Sequence, residues 1–235
     1  MTHMPPVALL AGGLATRLRP LTEQVPKAML EVAGEPFIAH QLRLLRRENI
    51  SRAVICAGYL AQQISDYVGD GSRFGLSVDY KIDGPRLLGT GGALRAALDL
   101  LGEEFMVMYG DSWLDIPYPP VVEAFRASRA PALMTVFRNE GQWDSSNVWF
   151  EDGRIRLYDK RKRLAEMHHI DWGLGMVRAD ALAARPADAP FDLADVYSEL
   201  SRSGQLASYE VTTRFYEIGS IEGLRETDAL LRGAS

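Results

Sequence analysis

Residues 7–11 (Val-Ala-Leu-Leu-Ala) run straight into the pair Gly12-Gly13, and from there short apolar runs alternate with amphipathic stretches as far as Asp111. The opening run is short, continuous and closed by glycine, which marks a buried parallel strand. Residues 53–57, 76–82 and 105–109 read as further strands, and 36–47, 61–68 and 91–101 as helices. In the last of these, Leu94, Ala97, Leu98 and Leu101 follow the i, i+3, i+4, i+7 spacing and share one face. Such alternation implies right-handed crossovers and a mostly parallel sheet covered on both faces. Beyond Asp111 the pattern changes. Residues 121–127 read as a helix, then 132–138, 147–150, 154–158 and 171–177 as strands, with Glu151-Asp152-Gly153 a hairpin turn. Asp192 is placed to cap a helix carrying Leu193, Val196, Tyr197 and Leu200 on one face. A strand at 207–211, the run 215–218 and a helix over 221–231 close the chain. The expected fold is one α/β domain over residues 1–235, Rossmann-like, with a mostly parallel mixed sheet between two helical layers.

Composition narrows the function classes. An apolar fraction of 47% and a charged fraction of 24% over 235 residues suit a full hydrophobic core. The formal net charge of −5 leaves no basic excess to displace phosphate counterions, which argues against a nucleic-acid binder. No run approaches the roughly 20 apolar residues that span a bilayer. Met1 to Pro6 lack the basic-then-apolar order of a secretory signal, so a cytoplasmic chain without a membrane partner is expected. Cys56 is the single cysteine and sits in an apolar strand, which reads as an inert core thiol. His168 and His169 are adjacent, so in a strand they face opposite sides and cannot share one metal.

The loop after the first strand carries most of the chemistry. Gly12 and Gly13 permit a tight exit from the strand and leave main-chain N–H groups open to a ligand. Such groups form a concavity for anions. Arg17 and Lys27 can bring fixed positive charge to the same phosphates, so the loop reads as a site for a nucleoside triphosphate. Two better-known phosphate loops do not fit. Gly-x-x-x-x-Gly-Lys-Ser/Thr does not occur in the sequence, and the adjacent glycines of Gly12-Gly13-Leu14-Ala15-Thr16-Arg17 break Gly-x-Gly-x-x-Gly. Open parallel sheets bind ligands at the carboxyl ends of their strands, and further candidates fall there. Leu88-Gly89-Thr90-Gly91-Gly92 opens a helix; its glycines allow a flat base or ribose to approach and its N-terminus favours an anion, unless Thr90 is simply an N-cap. Gly110-Asp111-Ser112 ends a strand with a hard oxygen ligand, or with a turn cap. Tyr158-Asp159-Lys160 ends a later run, although Lys160-Arg161-Lys162-Arg163 also reads as a solvated basic loop.

The ordered string Ala11-Gly12-Gly13-x-x-Thr16-Arg17-Leu18-x-Pro20-Leu21-Thr22, then Pro26-Lys27-x-x-Leu30 and Gly34-x-Pro36, resembles the signature of the sugar-1-phosphate nucleotidyltransferases, or nucleotide-sugar pyrophosphorylases. The resemblance implies the fold of that family and a division into a nucleotide-binding half (about 1–112) and a sugar-binding half (about 113–235). It implies nucleotide contacts from Leu10, Ala11, Gly12, Gly13, Thr16, Asp83, Gly89, Thr90 and Gly91. Asp111 matches the family's metal-binding Gly-Asp. Phe215-Tyr216-Glu217-Ile218-Gly219-Ser220 matches its second acidic motif, so Mg²⁺ is expected on Asp111 and Glu217. Asp159 and Lys160 match a segment that contacts sugar hydroxyls and sugar phosphate; Asn147, Asp171 and Asp111 fall in stretches that line the sugar side. Arg17, Lys27 and Lys160 are the expected catalytic cations. The expected partners are a nucleoside triphosphate and a sugar 1-phosphate; the oligomeric state is not legible. The sequence departs from the family at Ala15 (usually Gly), Glu217 (usually Asp), Asp159 (usually Glu) and Arg161 (usually Pro). The length, without a hexapeptide-repeat β-helix, resembles mannose- and heptose-1-phosphate guanylyltransferases and N-acetylmuramate-1-phosphate uridylyltransferases, with a lean toward guanylyl transfer to a manno-configured sugar. Phosphocholine cytidylyltransferases share the signature, and Trp143, Trp149 and Trp172 could supply their aromatic pocket. A non-catalytic nucleotide-sugar sensor is the reading from another class, supported by Ala15 and Glu217.

Overall fold

The computed structural model describes residues 3–84 and 86–233. Met1 and Thr2 of the N-terminal segment and Pro85 of the loop after Asp83 lie outside the described residues. The first half runs β1 (Val7–Ala11), a small hairpin β2 (Glu31–Val32) and β3 (Glu35–Pro36), α1 (Phe37–Arg47), β4 (Arg52–Ala57), α2 (Ala61–Val68), β5 (Ser77–Ile82), α3 (Gly89–Ala96), α4 (Leu98–Leu101) and β6 (Glu104–Tyr109). The second runs β7 (Ser112–Trp113), α5 (Pro119–Ser128), β8 (Ala132–Arg138), β9 (Val148–Glu151), β10 (Arg154–Tyr158), β11 (His169–Arg178), α6 (Asp180–Ala183), α7 (Leu193–Arg202), β12 (Leu206–Val211), β13 (Tyr216–Glu217) and α8 (Ile221–Gly233).

Nine strands of the described residues form one sheet. β1 lies at its centre, parallel to β4 on one side and to β6 on the other, with β5 parallel beyond β4. The parallel expectation holds for this half. β11 departs from it by running antiparallel to both β6 and β8, while β12 lies parallel to β8. The β9–β10 hairpin turns through Asp152 (φ 51) and Gly153 (φ 72), both left-handed as a two-residue hairpin loop requires.

Period-two alternation divides the core between two layers. Val7 and Leu9 of β1 pack with Ile38, Leu42 and Leu45 of α1 and Ile64 and Val68 of α2. Ala8 packs on the other face with Leu94 of α3, Leu101 of α4 and Leu193 and Val196 of α7. The helix expected over 91–101 starts two residues earlier and breaks at Ala97. There one N–H is shared between the carbonyls of Ala93 and Leu94, tightening the turn. A third cluster joins Leu18 and Leu30 to Ile218 and Leu231 of α8. It ties the glycine loop to the C-terminal segment. Among the described residues, no helix is long and apolar enough to cross a membrane.

Candidate active site

The chain steps from β1 to β4 and β5 on one side, then returns to β6 on the other. A crevice at the carboxyl ends of the strands follows from that reversal, and it is where open α/β sheets take ligands. A cleft of about 250 Å³ opens there. It is lined by Leu10, Ala11, Gly12, Gly13, Lys27, Asp83, Gly89, Thr90, Tyr109, Gly110 and Asp111, so most of the expected nucleotide-side residues share one cavity.

The glycine pair acts differently from the expected turn. Neither Gly12 nor Gly13 has a positive φ, and a Cβ on Gly13 would meet nothing within 4 Å. The bare side of Gly13 is open, whereas that of Gly12 packs against the Ala57–Gly58 backbone, 3.4 Å from the Gly58 nitrogen. The left-handed residue of the loop is Ala15 (φ 48, ψ 42), the position where the family usually has Gly. Thr22 donates to the Ala15 carbonyl at 2.8 Å and Leu18 is buried beneath, so the loop is held from both ends. Thr16 and Arg17 lie on an exposed 3-10 turn outside the cleft lining; the Arg17 charge nevertheless reaches Glu217.

At the mouth of the cleft Lys27 Nζ donates to Asp111 Oδ2 at 2.8 Å. The short β7–β13 pair sets Glu217 opposite Ser112, and Ile218 N–H donates to the Asp111 carbonyl at 2.8 Å. Burial and the neighbouring Asp111 carboxylate push the Glu217 carboxyl above its usual range, against the Gly219 N–H and the charges of Lys27 and Arg17. Two hard carboxylates in mutual repulsion suit Mg²⁺, whose remaining positions are ordinarily filled by water and substrate phosphates. Among the described residues no cluster of three or more metal-ligating side chains occurs. Gln41 was not anticipated. It is fully buried on α1, and its Nε2 donates to the carbonyls of Tyr109 (3.0 Å) and Ser112 (2.9 Å), framing Asp111. The available signal was a lone amide on an apolar helix face.

The Gly89–Gly92 segment corrects the sequence reading in three respects. Thr90 does not cap its own helix; its hydroxyl donates to Asp192 Oδ1 at 2.6 Å and accepts the Leu193 N–H at 2.8 Å. The N–H groups of Gly91 and Gly92 both donate to the Phe191 carbonyl, so they are not free for an anion. A Cβ on Gly91 would lie 2.3 Å from the Phe191 ring, which buries Gly91 against protein rather than ligand. Gly89 and Thr90 keep their place in the cleft. Asp83 accepts the Leu88 N–H at 3.0 Å, and burial raises its carboxyl above the ordinary range. Cys56 borders the cleft with its thiol pushed up to about 12 by burial, which leaves it unreactive.

On the second half, Lys160 Nζ stands 5.8 Å from the centre of the Tyr109 ring. Its charge reaches Asp171 and Asp192. Asp171 sits where the β11–β8 register shifts, and it accepts the Gly173 N–H at 3.0 Å. Such irregularities re-aim side chains beside active sites. Asn147 Oδ1 accepts the Asp171 N–H at 3.0 Å, so Asn147 supports Asp171. Asp159 does not line the cleft. Its Oδ1 accepts the N–H groups of Arg161 and Lys162 and its Oδ2 pairs with Arg202 at 2.8 Å, so most of its acceptor capacity is used within the protein. The tryptophans do not assemble an aromatic cage. Trp172 is buried with its Nε1 donating to the Thr213 carbonyl, Arg214 covers Trp143 at 3.5 Å, and Trp149 lies on the β9 hairpin. The support these residues lent to a phosphocholine acceptor is gone.

Comparison with known proteins decides the family, because the profile of the nucleotidyl transferases matches residues 7–146. The chain belongs to the nucleotidyl transferase family. Among relatives of this nucleotidyl transferase, an N-acetylmuramate alpha-1-phosphate uridylyltransferase of Neisseria meningitidis is 29% identical, covering 94% of this chain and 96% of its own length. One of Caulobacter vibrioides is also 29% identical and covers both chains fully, at 100% each. The solved structure of HddC from Yersinia pseudotuberculosis superposes with a TM-score of 0.84 over 97% of this chain and 100% of its own, at 22% identity, which supports the shared fold.

Proposed function

We propose that this nucleotidyl transferase joins a nucleoside monophosphate unit to a sugar 1-phosphate and releases pyrophosphate, with UTP as donor and N-acetylmuramate α-1-phosphate as acceptor. The observation that carries the reaction class is the meeting of Lys27, Asp111 and Glu217 at the mouth of the cleft floored by the glycine loop. The donor and acceptor are supported by the two uridylyltransferases that match the chain from end to end. The lean toward guanylyl transfer has support of its own: mannose-1-phosphate guanylyltransferases of Mycobacterium tuberculosis and Xenopus laevis are 33% identical over 58% of this chain and 24% identical over 90% of it.

No nucleophilic side chain is required. An ionised oxygen of the acceptor phosphate attacks the α-phosphorus in line. The new P–O bond forms as the α–β P–O bond breaks, and the bonding pair leaves on pyrophosphate. The protein must hold two polyanions in alignment against their repulsion. Lys27 neutralises the α-phosphate, Arg17 presents its guanidinium fork to the departing pyrophosphate, and Lys160 holds the acceptor phosphate from the second half. Asp111 and Glu217 would hold Mg²⁺, which when bound would supply divalent positive charge to offset the negative charge of the substrate phosphates.

The test is pyrophosphate release with each common nucleoside triphosphate against a panel of sugar 1-phosphates and phosphocholine. UTP with N-acetylmuramate α-1-phosphate is the pair expected to react, and Lys27→Met or Asp111→Asn should slow it about 10²–10³-fold. Either variant keeping more than half the turnover would overturn the assignment of roles. Nucleotide-sugar binding without pyrophosphate release would instead make the chain a sensor.

A further inference from the structure

Helix α7 is fastened to the Thr90 segment at its start and to the 158–160 segment at its end. At its start, Asp192 receives the Thr90 hydroxyl from the nucleotide side. At its end, Ser201 Oγ accepts the Tyr158 N–H at 3.1 Å and Arg202 Nη2 donates to Asp159 Oδ2 at 2.8 Å. The other Asp159 oxygen takes the Arg161 N–H at 2.8 Å and the Lys162 N–H at 2.9 Å, closing a turn around Lys160. An Asp has the reach for such a side-chain turn, and Arg161 supplies an N–H that a proline in its place would lack. The Asp159 side chain is only 15% exposed. Lys160 makes no salt bridge among the described residues; it extends from this turn to stand 5.8 Å from the centre of the Tyr109 ring, with Asp171 and Asp192 within reach of its charge.

We propose that Arg202 is a positioning residue for Lys160 and acts through Asp159. The clamp sets the turn from which Lys160 extends toward the acceptor phosphate, and α7 thereby relates the acceptor lysine to the Thr90 loop. The proposal rests on the reading of Lys160 as the acceptor-phosphate cation. It gives Asp159 a task other than contact with the sugar.

Steady-state kinetics of Arg202→Ala, Asp159→Ala, the double variant and Arg202→Lys test it, alongside amide exchange at Arg161 and Lys162. Arg202→Ala should raise KM for the sugar 1-phosphate about two- to fivefold, the scale of one partly exposed ion pair. KM for the nucleoside triphosphate should stay as in the wild type. Asp159→Ala should raise the sugar-phosphate KM further, the double variant should match Asp159→Ala alone, and Arg202→Lys should recover most of the loss. Direct sugar contact by Asp159 predicts instead a wild-type Arg202→Ala, and that result would overturn the clamp. The two readings fail separately. If the wild type released no pyrophosphate with any acceptor, the assigned reaction would fall. Amide exchange would still decide the clamp: faster exchange at Arg161 and Lys162 in Arg202→Ala supports it, and unchanged exchange rejects it.

Discussion

Ala15 is the one residue of the phosphate-side loop in a conformation that L side chains resist, with φ 48 and ψ 42. A left-handed non-glycine residue costs about 1–2 kcal/mol, partly returned through the lower entropy of the unfolded chain. Ala15→Gly should therefore stabilise the protein by about 1 kcal/mol, a rise in Tm of about 2–4 °C for a chain of this size; an unchanged Tm would mean that the methyl group is accommodated without strain. Asp171 offers a second residue-scale test. Burial raises its carboxyl above the ordinary carboxylate range, against the Lys160 ammonium and the Gly173 N–H. A carboxyl raised in the folded state loses stabilisation as pH climbs from the unfolded value through the folded one. Asp171→Asn keeps the acceptor for Gly173 and removes the titration. The variant's Tm should exceed the wild type's at pH 7 and the gap should shrink below pH 4. A gap that stayed constant with pH would refute the assigned titration.

At the scale of elements, β1 and β6 approach closely where they end. A Cβ on Gly110 would lie 2.8 Å from the Leu10 carbonyl oxygen and 3.2 Å from Ala11 Cα, both backbone atoms that cannot move aside cheaply. Gly110→Ala should cost about 1–3 kcal/mol by overpacking, read by denaturant unfolding. It should also depress turnover, because the next residue is Asp111. Normal stability and normal turnover together would mean that the strand ends are slack. Gln41 secures the same strand end, its amide bridging the ends of β6 and β7 from α1. A buried donor with two carbonyl partners ties β6 to β7 on either side of Asp111.

In the whole molecule, the phosphate loop and the second acidic motif meet through the cluster of Leu18, Ile218 and Leu231. Leu231 is 7% exposed, so Leu231→Ala should cost about 2–5 kcal/mol. Because Leu18 and Ile218 share the resulting cavity, both the Arg17 turn and Glu217 should loosen. A nucleoside triphosphate with Mg²⁺ should restore part of the lost Tm by mass action. Thermal unfolding with and without that pair reads the effect: a loosened site gives a smaller ligand-induced rise in Tm than in the wild type, and an equal rise would separate the cluster from the site.

Much of this was legible from local pattern. Buried parallel strands are continuous apolar runs and helices expose a periodic face, so β1, α2 and β8 fall where residues 7–11, 61–68 and 132–138 indicate. The ordered loop from Ala11 to Lys27 named the family for the same reason: its residues lie close in sequence. The direction of β11 was not legible, because alternation looks the same in parallel and antiparallel strands. Nor were the partners of Thr90, Gly91, Asp159 and Gln41, each bonded or packed against residues dozens of positions away. Side-chain type states what a residue can bond to. Only the packing of α7 and α1 against the strand ends decided which of those bonds were made, because a hydrogen bond or a close contact forms only between groups the fold brings within about 3 Å.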